Sequence, residues 1–261
     1  MTDGSVLVLG GTGEARTLAE ELVAAGVPVI SSLAGRVQNP RLPVGEVRIG
    51  GFGGVDGLAA WLRDERIRAV VDATHPFAAQ ITGNAAVACA RSGVPLLRLL
   101  RPGWSPDGDA RWTRVPDIAA AARIVADRGG RVLLTTGRQD ASAFAAVENA
   151  WFLIRVVDPP TGPLPPRHRI LASRGPYDLA SERKLLADNE IALLVTKNSG
   201  GDLTRAKLIA AAEADIEVVM VDRPAEPAGL DRVESVEAAL HWVCGIGSAV
   251  PRSAAPGRST G

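Results

Sequence analysis

Several short stretches of this 261-residue chain gather the residue types that handle anions: glycines, hydroxyls and cations with few acids among them. The first is VLVLGGTGEAR, residues 6–16, where Gly10, Gly11, Thr12 and Gly13 follow an apolar run. A strand, a glycine turn and a helix in that order bring free backbone N–H groups and the positive end of a helix dipole to one point, which makes a phosphate cradle. The third glycine of the dinucleotide fingerprint, counted from Gly11, is replaced by Arg16. Taken alone, the stretch therefore also reads as a structural left-handed turn.

Its partner decides between the two. A ribose-reading acid is expected about 20 residues past the glycines when the cofactor is NAD. That place holds ISSLAGR, residues 30–36, with Ser31, Ser32 and Arg36 and no acid. A guanidinium flanked by hydroxyls suits a 2′-phosphate, where a carboxylate would repel it. NADP(H) is the expected cofactor.

The remaining stretches are DATHPFAAQ (72–80) with Thr74 and His75, TTGRQD (135–140) with Arg138, VTKNSGG (195–201) with Lys197, Asn198, Ser199 and Gly200, and VDRP (221–224) with Arg223. Tyr177, the only tyrosine, follows SRGP. Each stretch by itself also fits a capped helix start. Together, at the carboxyl ends of successive strands, they point to an anionic ligand held between two α/β units. A histidine at a helix start is either structural or a donor to a carboxylate or a proton carrier.

Positioning these loops requires alternating strands and helices, and apolar runs of four or five residues do alternate with helix-period segments along most of the chain. Strands are expected near residues 6–9, 27–31, 47–49, 69–73 and 96–99, with a helix marked by the apolar positions 15, 18, 19, 22 and 23 and further helices near 56–65 and 77–92. After a proline- and glycine-bearing stretch at 101–112 the alternation restarts, with helices near 118–128, 179–189, 203–214 and 236–243 and strands near 131–135, 152–157, 192–196 and 218–221. The expected fold class is α/β, two Rossmann-like domains with parallel sheets flanked by helices. Residues 1–100 form the cofactor domain, 101–112 a linker, 113–245 the second domain and 246–261 a disordered tail.

Composition narrows the classes. With 29 basic and 29 acidic residues the formal charge is zero, so no nucleic-acid partner is expected. No apolar run reaches membrane-spanning length and no leader pattern is present, which leads to the expectation of a cytoplasmic protein without membrane association. Cys89 and Cys244, both in helical patterns, are expected as buried thiols. No H-E-x-x-H, C-x-x-C, G-x-S-x-G or P-loop pattern occurs, so no metal centre is expected.

LGGTGEAR at 9–16, DATHPFAAQITGNA at 72–85, LLTTGR at 133–138, SRGPY at 173–177, and VTKNSGG at 195–201 with VDRP behind it together resemble the precorrin-6A reductases of cobalamin biosynthesis, a family that includes the cobalt-precorrin-6A reductases. The resemblance implies an NADPH-dependent reduction of a C=C bond of the precorrin-6A macrocycle, giving precorrin-6B, with the active site in a cleft between the domains. It implies a cofactor held by Gly10, Gly11, Thr12, Gly13, Ser31, Ser32, Arg36, Thr74, Asn198, Ser199 and Gly200. His75, Arg138, Tyr177, Lys197 and Arg223 would meet a tetrapyrrole substrate, and Lys197, His75 and Tyr177 would serve its chemistry. Cobalt, where present, would belong to the substrate, and no oligomeric state is implied. The same stretches leave open a non-catalytic NADP-binding regulatory module, and a reductase for another polycarboxylate.

Overall fold

The computed structural model describes residues 4–35, 41–106, 108 and 110–246. In chain order the elements are β1 (Val6–Leu9), α1 (Gly13–Ala24), β2 (Val29–Leu33), β3 (Glu46–Ile49), α2 (Gly54–Asp64), β4 (Ala69–Asp72), α3 (Ala79–Ser92) and β5 (Leu96–Leu99). There follow β6 (Trp112–Val115), α4 (Ile118–Arg128), β7 (Gly130–Leu134), β8 (Ala150–Val156), β9 (His168–Ala172), α5 (Leu179–Asp188), β10 (Leu193–Lys197), α6 (Ala206–Glu213), β11 (Glu217–Val221), β12 (Asp231–Val233) and α7 (Val236–Ile246).

Two six-stranded sheets result, ordered β12-β5-β4-β1-β2-β3 and β6-β11-β10-β7-β8-β9, and every pairing is parallel. Parallel sheets need apolar cover on both faces, which explains why β1, β4 and most of β7 and β8 are buried on consecutive residues rather than alternate ones. Leu18 and Leu22 of α1 and Ala239 and Val243 of α7 pack on one face of the first sheet, while Leu58 and Leu62 of α2 and Ala85 and Cys89 of α3 pack on the other. The second sheet is covered likewise, by α4 on one face and by α5 and α6 on the other. Thr12, Asp117 and Asp178 start α1, α4 and α5 by accepting a bond from the backbone N–H three residues on.

In both sheets the strand order reverses once, between β1 and β4 and between β7 and β10. The loops that leave these strands carry residues 10–13, 73–76, 135–140 and 198–201, at the position where open α/β sheets hold ligands.

The allocation of the last helix is corrected. The expected boundaries place residues 236–243 in the second unit, but β12 pairs with β5 and α7 packs on α1, so the chain returns to the first sheet. β6, at the end of the expected linker, is in turn the edge of the second sheet. Strand alternation carries no mark of which sheet a strand will join, and β12 is three residues long and largely exposed, without an apolar run to announce it. Cys89 is buried as expected, whereas Cys244 is exposed because Val243, one residue earlier, takes the inward face of α7. The expected tail starts at 246, but Ile246 still belongs to α7; the rest of it, 247–261, and Arg36 lie outside the described residues.

One polar network fixes the turn between β4 and α3. The buried Asp72 carboxylate accepts from the Thr74 N–H at 3.0 Å, the Thr74 hydroxyl at 2.7 Å and the Thr82 hydroxyl at 2.6 Å, and pairs with Arg98 of β5 at 3.2 Å. Arg98 also donates to the carbonyls of Asp72 and Thr74 and, through Nε, to Glu226 in the segment returning to β12. Removing the carboxylate with Asp72→Ala would leave a guanidinium buried without its main partner, and should cost about 3–5 kcal/mol in urea unfolding. A loss below about 1 kcal/mol would show that the turn does not depend on this network.

Candidate active site

The glycine turn is built as its spacing requires. Gly10 N–H is committed to the sheet, donating to Ser32 O at 2.9 Å, and a Cβ on Gly10 would stand 3.3 Å from a Leu33 methyl. Gly11 has φ +110° and open space where a side chain would be. The Thr12 hydroxyl accepts from Ala15 N–H at 3.1 Å and donates to Ala73 O at 2.7 Å, tying β1 to β4 across the reversal point. The N–H groups of the first turn beyond it, at Gly13 and Glu14, have no acceptor within the helix. Glu14 itself pairs with Arg101 at 2.7 Å.

Beside this turn is an open cleft of about 210 Å³, lined by Gly10, Gly11, Arg16, Ser31, Leu33 and Arg41 among others. The Ser31 hydroxyl is buried and has no partner among the described residues, and Ser32 is buried next to it. A second opening, of about 190 Å³, lies between the ends of β1, β4 and β5, with Thr12, Glu14, Thr74 and Arg101 on its walls.

The loop after β10 meets this region from the other sheet. His75 Nδ1 accepts from Phe77 N–H at 3.3 Å, which leaves Nε2 as the donor to the Ser199 hydroxyl at 3.0 Å. Arg101 Nε donates to Ser199 O at 2.7 Å. Lys197, the last residue of β10, pairs with Asp140 at 2.5 Å and places its ammonium 5.0 Å from the Phe77 ring centre. Burial, followed by Arg101, Lys197, Arg223 and Arg98, pushes the His75 pKa down to about 3. His75 is consequently a neutral imidazole at physiological pH, surrounded by cations.

Several of the expected ligand residues are engaged in building this junction. The Asn198 side chain accepts from Trp104 N–H at 2.7 Å and donates to Trp104 O at 3.1 Å, as a neighbouring strand would. Arg223 donates to the carbonyls of Asn198, Arg101 and Ser199. A Cβ on Gly200, at φ +68°, would fall 2.1 Å from Pro102 O, so only glycine lets residues 101–104 pass. Thr74 is bound into the Asp72 network. The Tyr177 hydroxyl donates to Ser173 O at 3.0 Å, and its ring carries the Arg155 guanidinium at 4.1 Å, itself paired with buried Glu182. Arg138 is half-buried in the loop after β7, two residues before the Asp140 that binds Lys197.

Lys197, His75 and Ser199 are thus brought together, with Arg101 between them and the glycine turn. Arg101 does not stand out in the sequence, because RPGW reads as linker; its position just past a strand end is the one signal it carries. Arg16 and Arg41 are hidden for a related reason: one stands at the third-glycine position of the fingerprint and the other in a loop without periodicity.

The histidine gives this site a pH signature. Its folded-state pKa lies below the unfolded value of about 6.5, so the unfolded chain binds more protons between about pH 6.5 and 3. The stabilisation is therefore present above that window and lost as pH falls through it. Between pH 6.5 and 5 the wild-type chain should lose about 2 kcal/mol more than His75→Gln in urea unfolding; equal losses would show that burial does not hold the imidazole neutral.

Residues 5–244 match the family model described as precorrin-6x reductase CbiJ/CobK. The precorrin-6A reductase of Mycobacterium tuberculosis (strain CDC 1551 / Oshkosh) is 58% identical over 93% of this chain and 98% of its own. That of Rhodococcus erythropolis is 53% identical over 91% and 96%. A solved structure titled CobK precorrin-6A reductase superposes with a TM-score of 0.88 at 43% identity, covering 96% of this chain and all of the other. With the family model spanning nearly every described element, the chain belongs to the precorrin-6x reductase CbiJ/CobK family.

Proposed function

We propose that this protein reduces precorrin-6A to precorrin-6B in cobalamin biosynthesis, with NADPH as the reductant, and that it does so in the cytoplasm. The observation that carries the reading is the meeting of the β1 glycine turn with Lys197, His75 and Ser199, inside one cationic neighbourhood. Among the described residues no helix is long and apolar enough to cross a membrane, and no group of acids, histidines and cysteines is arranged to hold a metal ion.

The residues fit a nicotinamide dinucleotide. Gly11 leaves open space at the turn, the first N–H groups of α1 have no acceptor within the helix, and the Ser31 hydroxyl, without a partner among the described residues, lies where an adenosine ribose would be read. When bound, the cofactor supplies a hydride from its nicotinamide carbon. In this reading Gly10, Gly11, Thr12 and Gly13 hold the pyrophosphate, and the opening between Thr12, Thr74 and Arg101 takes the nicotinamide end.

The chain's own chemistry is positioning and proton supply. Lys197, Arg101 and Arg138 receive the carboxylates of the macrocycle, and Tyr177 lines its path. Neutral His75 holds Ser199 in place and donates no proton as an imidazolium, since burial keeps it uncharged. Lys197, held by Asp140, is the cation placed to deliver the proton that accompanies the hydride. Arg223 and Asn198 fix the loop that carries Lys197 and Ser199.

Anaerobic mixing of protein, precorrin-6A and NADPH, followed by macrocycle and NADPH absorbance together, should show one-to-one loss of both. Binding of both without oxidation would favour a regulatory module. Lys197→Ala should lower kcat on the order of 10²-fold or more while leaving NADPH affinity within about twofold, as expected for a proton donor. Unaltered turnover would remove Lys197 from that role.

A further inference from the structure

The second sheet buries three charges that the reaction above does not use. Arg155 lies on β8, Glu182 on the inward face of α5 and Lys207 on the first turn of α6. The inward positions of α5 are Glu182 and Leu186, so a carboxylate occupies a place that helical periodicity reserves for an apolar side chain. Arg155 pairs with one Glu182 oxygen, and the other has no hydrogen-bond partner among the described residues. Burial, then the nearby Arg155, lower the Lys207 pKa while Glu182 raises it, so the three charges act on one another. Apolar residues of the same volume usually stabilise a fold as well as a buried ion pair does, so stability alone does not account for these charges.

What they touch is the side of the site that Tyr177 forms. Arg155 lays its guanidinium on the Tyr177 ring, 4.1 Å from the ring centre, and the Lys207 ammonium donates to Thr204 O at 2.8 Å. Between these two contacts Leu203 O accepts the Tyr177 N–H at 3.3 Å. Leu203 in turn reaches the first sheet, where a Cβ on Gly13 would stand 3.5 Å from its methyl. Residues 173–178 lie in no helix or strand, so the orientation of the half-buried ring comes from these contacts and from its hydroxyl bond to Ser173 O.

We infer that Arg155 and Glu182 are positioning residues for the reaction: the buried pair fixes the Tyr177 ring, and with it the wall that receives the macrocycle. The inference rests on the reading of Tyr177, given above, as part of the macrocycle's path. A guanidinium is flat and stacks on a ring face, and its carboxylate partner keeps it in that plane. A wall already held in one orientation need not be ordered when the substrate binds. The effect therefore falls on the macrocycle and not on the cofactor, which meets the other sheet.

Tyr177 is the only tyrosine of the chain, so incorporation of 3-fluorotyrosine gives the full-length protein a single fluorine resonance that reports this ring. The charge-free double variant Arg155→Met/Glu182→Leu nearly keeps the buried volume and should unfold in urea no more easily than the wild type. Its resonance should move to the position of free 3-fluorotyrosine, and KM for precorrin-6A should rise about tenfold while NADPH affinity, by calorimetric titration, stays within about twofold. In a Tyr177→Leu background the same two substitutions should raise KM no further, because they act through the ring. Arg155→Lys, which keeps the charge and gives up the flat guanidinium, should move the resonance in the same direction and decides the matter if the double variant does not fold. An unmoved resonance, a moved one with unchanged KM, or an equal loss of NADPH affinity would overturn the assignment. A wild-type chain that reduces no precorrin-6A would instead overturn the reaction, while the response of the resonance to the substitutions still decides whether the pair sets the ring.

Discussion

A carboxylate placed at the end of a buried central strand is stable only if its neighbours supply what water would have given it. Asp72 meets this demand with two threonines, a backbone N–H and the Arg98 guanidinium, and everything that faces the site is hung from that arrangement. It sets the course of the chain from β4 into α3, hence where His75 stands. Through Arg98 it fixes β5 and the exit toward Arg101, and through Glu226 it holds the segment returning from the second sheet. One buried ion pair therefore reaches three parts of the chain that are distant in sequence.

From Arg101 onward the construction is of hydrogen bonds to backbone rather than of apolar packing. Asn198 pairs with both polar groups of Trp104, Arg223 gathers three carbonyls, and Lys207, buried against the Trp104 ring and pulled to a pKa of about 7 by burial, donates to Thr204 O. Directional bonds set a junction at defined angles where apolar contact alone would tolerate sliding. That suits a site whose hydride donor and acceptor must be held at a fixed separation.

Much of this was legible in the sequence. Core strand β1 carries an unbroken apolar run and β7 ends in one, and α4 declares both ends with Asp117 and Gly129. Edge strands did not announce themselves: β9 and β12 are largely exposed, and their pairing comes from neighbours far along the chain. The loops that carry Lys197, His75 and Ser199 stood out by composition. The division of labour within them did not, because a loop asparagine or arginine looks alike whether it will hold a ligand or the passing backbone. Only Gly200, pressed against Pro102, shows how closely the two segments run.

The exchange of edge strands has a consequence for how the molecule is made. β12 and α7, which complete the first sheet and cover α1, are the last described elements of the chain. During synthesis the first sheet emerges with β5 as a bare edge and one helical layer incomplete, with α1 but not α7 in place, and stays so until the whole second unit has left the ribosome. The amino-terminal unit is thus born first and finished last, and its apolar surface must survive that interval unprotected.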